Sequence, residues 1–125
     1  MMIEDSKSYI SLDVWKKCRK LTSCIYSLTK KFPKDEQYGL TNQIRRSVVS
    51  IPSNIAEGCG RSHTKDSIHF FHISRGSLYE LETQLYLSFD QNYITEEELD
   101  ENLKLIIDCK KLINGFINYY KNLKR

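Results

Sequence analysis

The chain has 125 residues, with 19 Lys+Arg against 16 Asp+Glu and a net charge of +3. That length suits one domain with a single core, and 40% apolar with 28% charged residues excludes a disordered chain. Five Gly and two Pro argue against collagen-like or many-turned β architectures, and no apolar run approaches the ~18 residues of a membrane span.

Residues 1–11 carry Glu4 and Asp5 and lack the apolar stretch of a secretory signal, so they read as an N-terminal tail of a cytoplasmic protein. The first predicted helix opens after Ser11, a candidate N-cap, with Asp13 in its first turn. Val14, Cys18, Leu21, Ile25, Leu28 and Phe32 recur at heptad steps, and Trp15 and Tyr26 widen the stripe. Pro33 ends it, because the residue before a proline is pushed out of the α region. After a turn to Gly39, Leu40, Ile44, Val48, Ile51 and Ile55 define the second helix. Pro52 inside that pattern predicts a kink, and the β-branched Val48, Val49 and Ile51 leave a strand over 47–52 as the alternative. Gly58 is the expected residue just past its end.

Ser62 or Thr64 can cap the third helix, which carries Ile68, Phe71, Leu78, Leu81, Leu85 and Phe89. Ser74, Gly76 and Ser77 interrupt its large side chains, which predicts that another backbone approaches there. Asn92 is its expected terminus. Thr95-x-x-Glu98 is a capping box opening the fourth helix, with Leu99, Leu103, Ile106, Ile113, Phe116, Ile117 and Tyr120 inward. Four amphipathic helices with short connections predict an all-α, antiparallel up-down-up-down four-helix bundle, one domain over residues 1–125.

Charge is segregated along the chain. Residues 16–61 hold ten Lys+Arg against three acids, while residues 80–101 hold eight acids and no Lys or Arg. Residues 104–125 hold six Lys+Arg and Asp108. In an up-down bundle the start of the first helix, the second loop and the end of the last helix share one pole. That pole would gather Lys16, Lys17, Arg19, Lys20, Arg61, Lys65, Lys121, Lys124 and Arg125.

The remaining patterns are weaker. Cys18, Cys24, Cys59 and Cys109 lack paired spacing and read as reduced, buried thiols. His63, His69 and His72 with Asp66 make a poor zinc set, so no metal or cofactor is expected. Gly58 to Ser62 precedes a helix start and could meet a phosphate with Arg61, but it fails both glycine-rich nucleotide patterns. Arg75 follows His72 by one turn without the order a helical-bundle ribonuclease uses, so no catalytic residues are assigned.

The least generic stretch is Gln43-Ile-Arg-Arg-Ser-Val-Val-Ser-Ile-Pro-Ser-Asn-Ile-Ala-Glu-Gly58. Arg45 and Arg46 project about 100° apart and cannot both share the core stripe, so one is expected to face solvent or a partner, or to pair with an acid such as Glu80 or Glu82. With Leu12-Asp-Val-Trp15, Phe32-Pro33, Phe70-Phe71 and Arg75-Gly-Ser-Leu-Tyr-Glu-Leu-Glu82, this stretch resembles the four-helix-bundle proteins encoded by intervening sequences of bacterial large-subunit rRNA genes. Their relatives include the accessory variability determinant proteins of diversity-generating retroelements. Ser74 departs from the family's usual alanine. The resemblance implies a homopentamer with a basic surface for RNA or DNA, and in the retroelement branch a reverse transcriptase as protein partner. The ribosomal label of the family reflects gene location.

The function expected is therefore non-catalytic nucleic-acid binding by a homo-oligomer, with a protein–protein adaptor as the alternative. The candidate contacts are Lys16, Lys17, Arg19 and Lys20 on the first helix, Arg45 and Arg46 on the second, and Arg61 and Lys65 beyond it. A second polar set, Gln43, Arg46, Asn54, Glu57, Arg75 and Glu80, is expected to serve structure or oligomerisation. Trp15 beside Lys16 and Lys17 could stack on a base or pack internally.

Overall fold

The computed structural model describes residues 7–123, and among them every regular element is helical. A single turn, α1 (Lys7–Ile10), precedes α2 (Asp13–Thr29), α3 (Leu40–Cys59), α4 (Thr64–Asp90) and α5 (Glu96–Lys121), with a 3₁₀ turn at Lys34–Glu36. Of the tail, residues 7–10 form α1, while Glu4 and Asp5, like Lys124 and Arg125 at the other end, lie outside the described residues. Each of the four long helices packs on two neighbours, α2 with α3 and α5, and α4 with α3 and α5. This is the up-down bundle. Among the described residues no helix is long and apolar enough to cross a membrane.

All six heptad positions from Val14 to Phe32 are buried, as are Ile44, Val48, Ile51 and Ile55 of α3. Leu40, Leu103 and Phe116 are only half-buried, and the core gains Cys109 and Ile94, which hydrophobic spacing did not single out. Cys18 and Cys109 lie at the α2–α5 seam. The Cys18 thiol is pushed up first by its hydrogen bond with Cys109, then by burial.

The helix prevails over the strand and runs unbroken through Pro52, where the carbonyl that the proline leaves without a donor finds another. Proline lacks the N–H that would reach Val48 O. Thr22 Oγ1 of α2 donates to that carbonyl at 3.3 Å, as well as to Cys18 O at 2.9 Å. From the opposite side, Ser74 Oγ of α4 donates to Ile51 O at 2.8 Å. An alanine at this position would lose the bond, so Ser74 does more here than fill space.

Three boundaries differ from expectation. Leu12, not Ser11, is the N-cap of α2, and His63, not Ser62 or Thr64, is that of α4. Gly58 is not beyond α3 but buried within it, and Gly60 takes the C-cap. A Cβ on Gly58 would stand 2.3 Å from Phe71 Cε1 and 2.9 Å from Ser67 O, so this is where α3 and α4 come closest to excluding a side chain. Gly76, by contrast, faces open space. The buried small residues facing α3 are Ser67, Ser74 and Ser77.

The ends of the other helices follow their local chemistry. Thr95 and Glu98 close the capping box at 3.1 and 2.9 Å. Asn92 takes a left-handed φ of 64° after α4, with Asn92 N bonded to Phe89 O and Tyr93 N to Ser88 O. That pair of bonds is the Schellman pattern. Tyr93 then packs on Phe32 and donates to Glu36 Oε2 at 2.7 Å, while Glu36 Oε1 accepts from Leu40 N at the start of α3.

Candidate nucleic-acid interface

On α2 the residues Val14, Cys18, Leu21 and Ile25 take the inward face, so Lys16, Lys17 and Lys20 are left on the outer arc. α5 runs beside them and contributes Lys111, Leu112 and Asp108. Together with Asp13 these residues line an open cleft of about 560 Å³ between α2 and α5. Four ammonium groups therefore face two carboxylates. Lys17 Nζ lies 3.8 Å from Asp108 Oδ2, whereas Lys16, Lys20 and Lys111 make no ion pair among the described residues. An open cleft of this composition attracts phosphate in a salt-dependent way.

The other expected contacts are not gathered there. Arg19 turns toward α3 and lies over the Trp15 ring, 5.4 Å from its centroid. Arg45 is bound to the end of α2, with Nε donating to Thr29 Oγ1 at 2.9 Å and the guanidinium 4.6 Å over Tyr26. No acid among the described residues pairs with it. Arg61 is engaged by Glu57 at 2.8 Å and lies over Phe70, so the Gly58–Ser62 stretch does not present it as a free phosphate ligand. Lys65 and Lys121 are exposed on α4 and α5. One cationic feature is thus a lateral cleft at the α2–α5 seam. Lys111 belongs to it although the sequence reading passed it over; its position one turn after Asp108, on the same flank of α5, was the available signal.

The second polar set divides. Gln43, Arg46 and Glu80 line a cleft of about 250 Å³ between α3 and α4, with Ser47, Ser50, Ser77 and Gln84. Arg46 and Glu80 form no ion pair among the described residues; Glu82 instead pairs with Lys110 at 3.0 Å. Gln84 Oε1 is buried without a hydrogen-bond partner among the described residues. Asn54 sits one turn along, donating to Ser50 O and Oγ, and Ser50 meets Ser77 at 2.9 Å. Glu57 leaves the set for Arg61. Arg75 leaves it for α5, donating to Asn114 Oδ1 at 2.9 Å and reaching His72 Nδ1 at 2.8 Å. His72 is held below its ordinary pKa by desolvation first, then by the charges of Arg75 and Lys121. Among the described residues no three His, Cys, Asp or Glu side chains converge as metal ligands would.

Fold and site together define a class: a small four-helix bundle with one lysine-lined seam and one unpaired polar face. The 23S rRNA-intervening sequence protein family matches residues 11–115, and the chain belongs to it. A solved structure from Bacteroides thetaiotaomicron, described as a protein of unknown function from the S23 ribosomal protein family, is 27% identical with a TM-score of 0.77. The match covers 83% of this chain and 97% of that one. No curated protein matches.

Proposed function

We propose that this protein binds nucleic acid without catalysis, along the lysine cleft between α2 and α5, as a cytoplasmic homo-oligomer. The observation that carries the reading is the convergence of Lys16, Lys17, Lys20 and Lys111 from two helices on one open cleft. Contacts of this kind are phosphate-directed and weakly sequence-selective. Phosphate-directed contacts do not choose between RNA and DNA, so both are tested.

Self-association finds support on the other side of the bundle. Arg46 and Glu80 are opposite charges left unpaired on one face, beside the orphaned Gln84 oxygen. A second copy could satisfy them reciprocally, and the pentamer implied by the family resemblance would present five lysine clefts at once. The same face favours the adaptor as the second reading, in which it takes a different protein, such as a reverse transcriptase, and the lysines play no part.

A salt titration of binding to RNA and DNA oligonucleotides tests the first reading. The expected result is binding at low salt whose log–log slope falls by about one for each lysine replaced in Lys16→Ala or Lys20→Ala. No binding even at low salt rejects it. An adaptor keeps its protein partner in the Lys16→Ala/Lys20→Ala double variant.

A further inference from the structure

A second cleft opens on the other flank of α2, and its lining differs in kind from the lysine seam. It measures about 340 Å³, near the lower end of ligand-sized pockets. α1 brings Tyr9 over the α2–α3 seam, where its ring meets Trp15 edge-on at 5.2 Å and 70°. Pro52 and Ala56 supply the α3 wall. The space exists because Thr22, Ser53 and Ala56 are small and because Pro52 stands in a helix interior. Arg19 adds a cation above the Trp15 ring.

The position of this cleft relates it to the lysines. At about 100° per residue, Trp15, Arg19, Lys16 and Lys20 follow one another around a continuous outer arc of α2. A strand whose phosphates lie along Lys16 and Lys20 therefore passes Arg19 and reaches the aromatic cleft with an adjoining base. Aromatic rings stack on any base face, but a base within a duplex is already stacked and paired.

We infer that the Tyr9–Trp15 cleft receives an unpaired nucleobase, which makes single-stranded nucleic acid, rather than duplex, the ligand class of this surface. The inference rests on the phosphate-binding reading of the α2–α5 cleft and adds what that reading leaves open. The stacking partners are Tyr9, Trp15 and Pro52, and Arg19 holds the phosphate beside the base.

Trp15 is the single tryptophan of the chain, so its emission reports on this site alone. The test titrates the full chain with a labelled, unstructured RNA strand of about 12 nucleotides and with the same strand in a duplex. Anisotropy and Trp15 emission are read together. The expected result is tighter binding of the single strand, with Trp15 quenched in step with occupancy. Tyr9→Ala should weaken the single strand at least about fivefold and leave duplex affinity unchanged. Trp15→Phe, which keeps a ring in the cleft, should weaken it less than Tyr9→Ala does. Equal affinities with unmoved Trp15 emission overturn the inference while the lysine cleft stands. A Tyr9→Ala loss shared equally by both ligands overturns it too. Absence of binding by either ligand at low salt overturns both this inference and the reading beneath it.

Discussion

Replacing Gly58 by alanine and replacing Gly76 by alanine are the same chemical change in two helix interiors, and the structure assigns them opposite signs. At Gly58 the new Cβ would lie 2.3 Å from Phe71 Cε1, 2.8 Å from its Cδ1 and 2.9 Å from the Ser67 carbonyl oxygen. Phe71 is fully buried and hemmed in by Phe116 and Tyr120 at 4.9 and 4.8 Å between ring centroids. The ring cannot swing away cheaply, and the Ser67 contact is backbone, so α3 and α4 must separate. Overpacking of this kind costs about 1–3 kcal/mol, against about 1 kcal/mol of helix propensity gained by alanine. With contacts this short to a buried ring and to backbone, the cost sits at the upper end of that range, and the net expectation is a loss of about 2 kcal/mol. At Gly76 nothing lies within 4 Å of the new Cβ, so the propensity term stands alone and the variant gains about 0.5–1 kcal/mol. Urea unfolding followed by circular dichroism, with the slope checked for constancy, reads both changes. A Gly58→Ala protein as stable as the parent, or a Gly76→Ala protein less stable, refutes the reasoning.

Thr22→Val should destabilise by about 1 kcal/mol, because it strips the donor from the carbonyl that Pro52 leaves open. In a Pro52→Ala background, where a backbone N–H returns, the same change should cost less, and a double-mutant cycle of unfolding free energies measures the difference. The Glu36 carboxylate is held below the ordinary glutamate range, first by the Leu40 N–H and then by the Tyr93 hydroxyl. A lowered folded pKa means stability that is present above the unfolded value and lost as pH falls through the folded one. Parent and Glu36→Gln unfolding curves should therefore differ at neutral pH and converge in acid, as thermal melts across that range would show.

Hydrophobic spacing made the long helices and their inward faces readable, because burial of one stripe dominates where each helix can lie. Helix starts were harder. The N-cap residues of α2 and α4, Leu12 and His63, make no side-chain cap bond, so the starts of these helices do not fall on the capping side chains of Ser11, Ser62 or Thr64. The roles of Gly58 and Gly76 were exchanged for a related reason. A glycine in a sequence says that a side chain is dispensable, but only its phase against buried neighbours says whether the space is occupied or empty. The lysine cleft was half legible. Lys16, Lys17 and Lys20 were evident from α2, yet Lys111 joins them only because α5 is the neighbour on that flank. Arg45 illustrates the converse: its charge suggested a ligand or an acid, and its partners proved to be a hydroxyl and a tyrosine ring.

The serine- and glycine-lined approach of α3 to α4 has a consequence for how the molecule yields under thermal motion. Two helices locked by backbone-level contact and by the Ser74 bond across their seam form a stiff spine. α2 and α5 each lean on that spine from one side, and they meet one another along the edge that bears the lysines. The contacts of α2 with α3 and with α5 are both lighter than that of the spine, so opening fluctuations concentrate around α2 and leave the α3–α4 hairpin undisturbed.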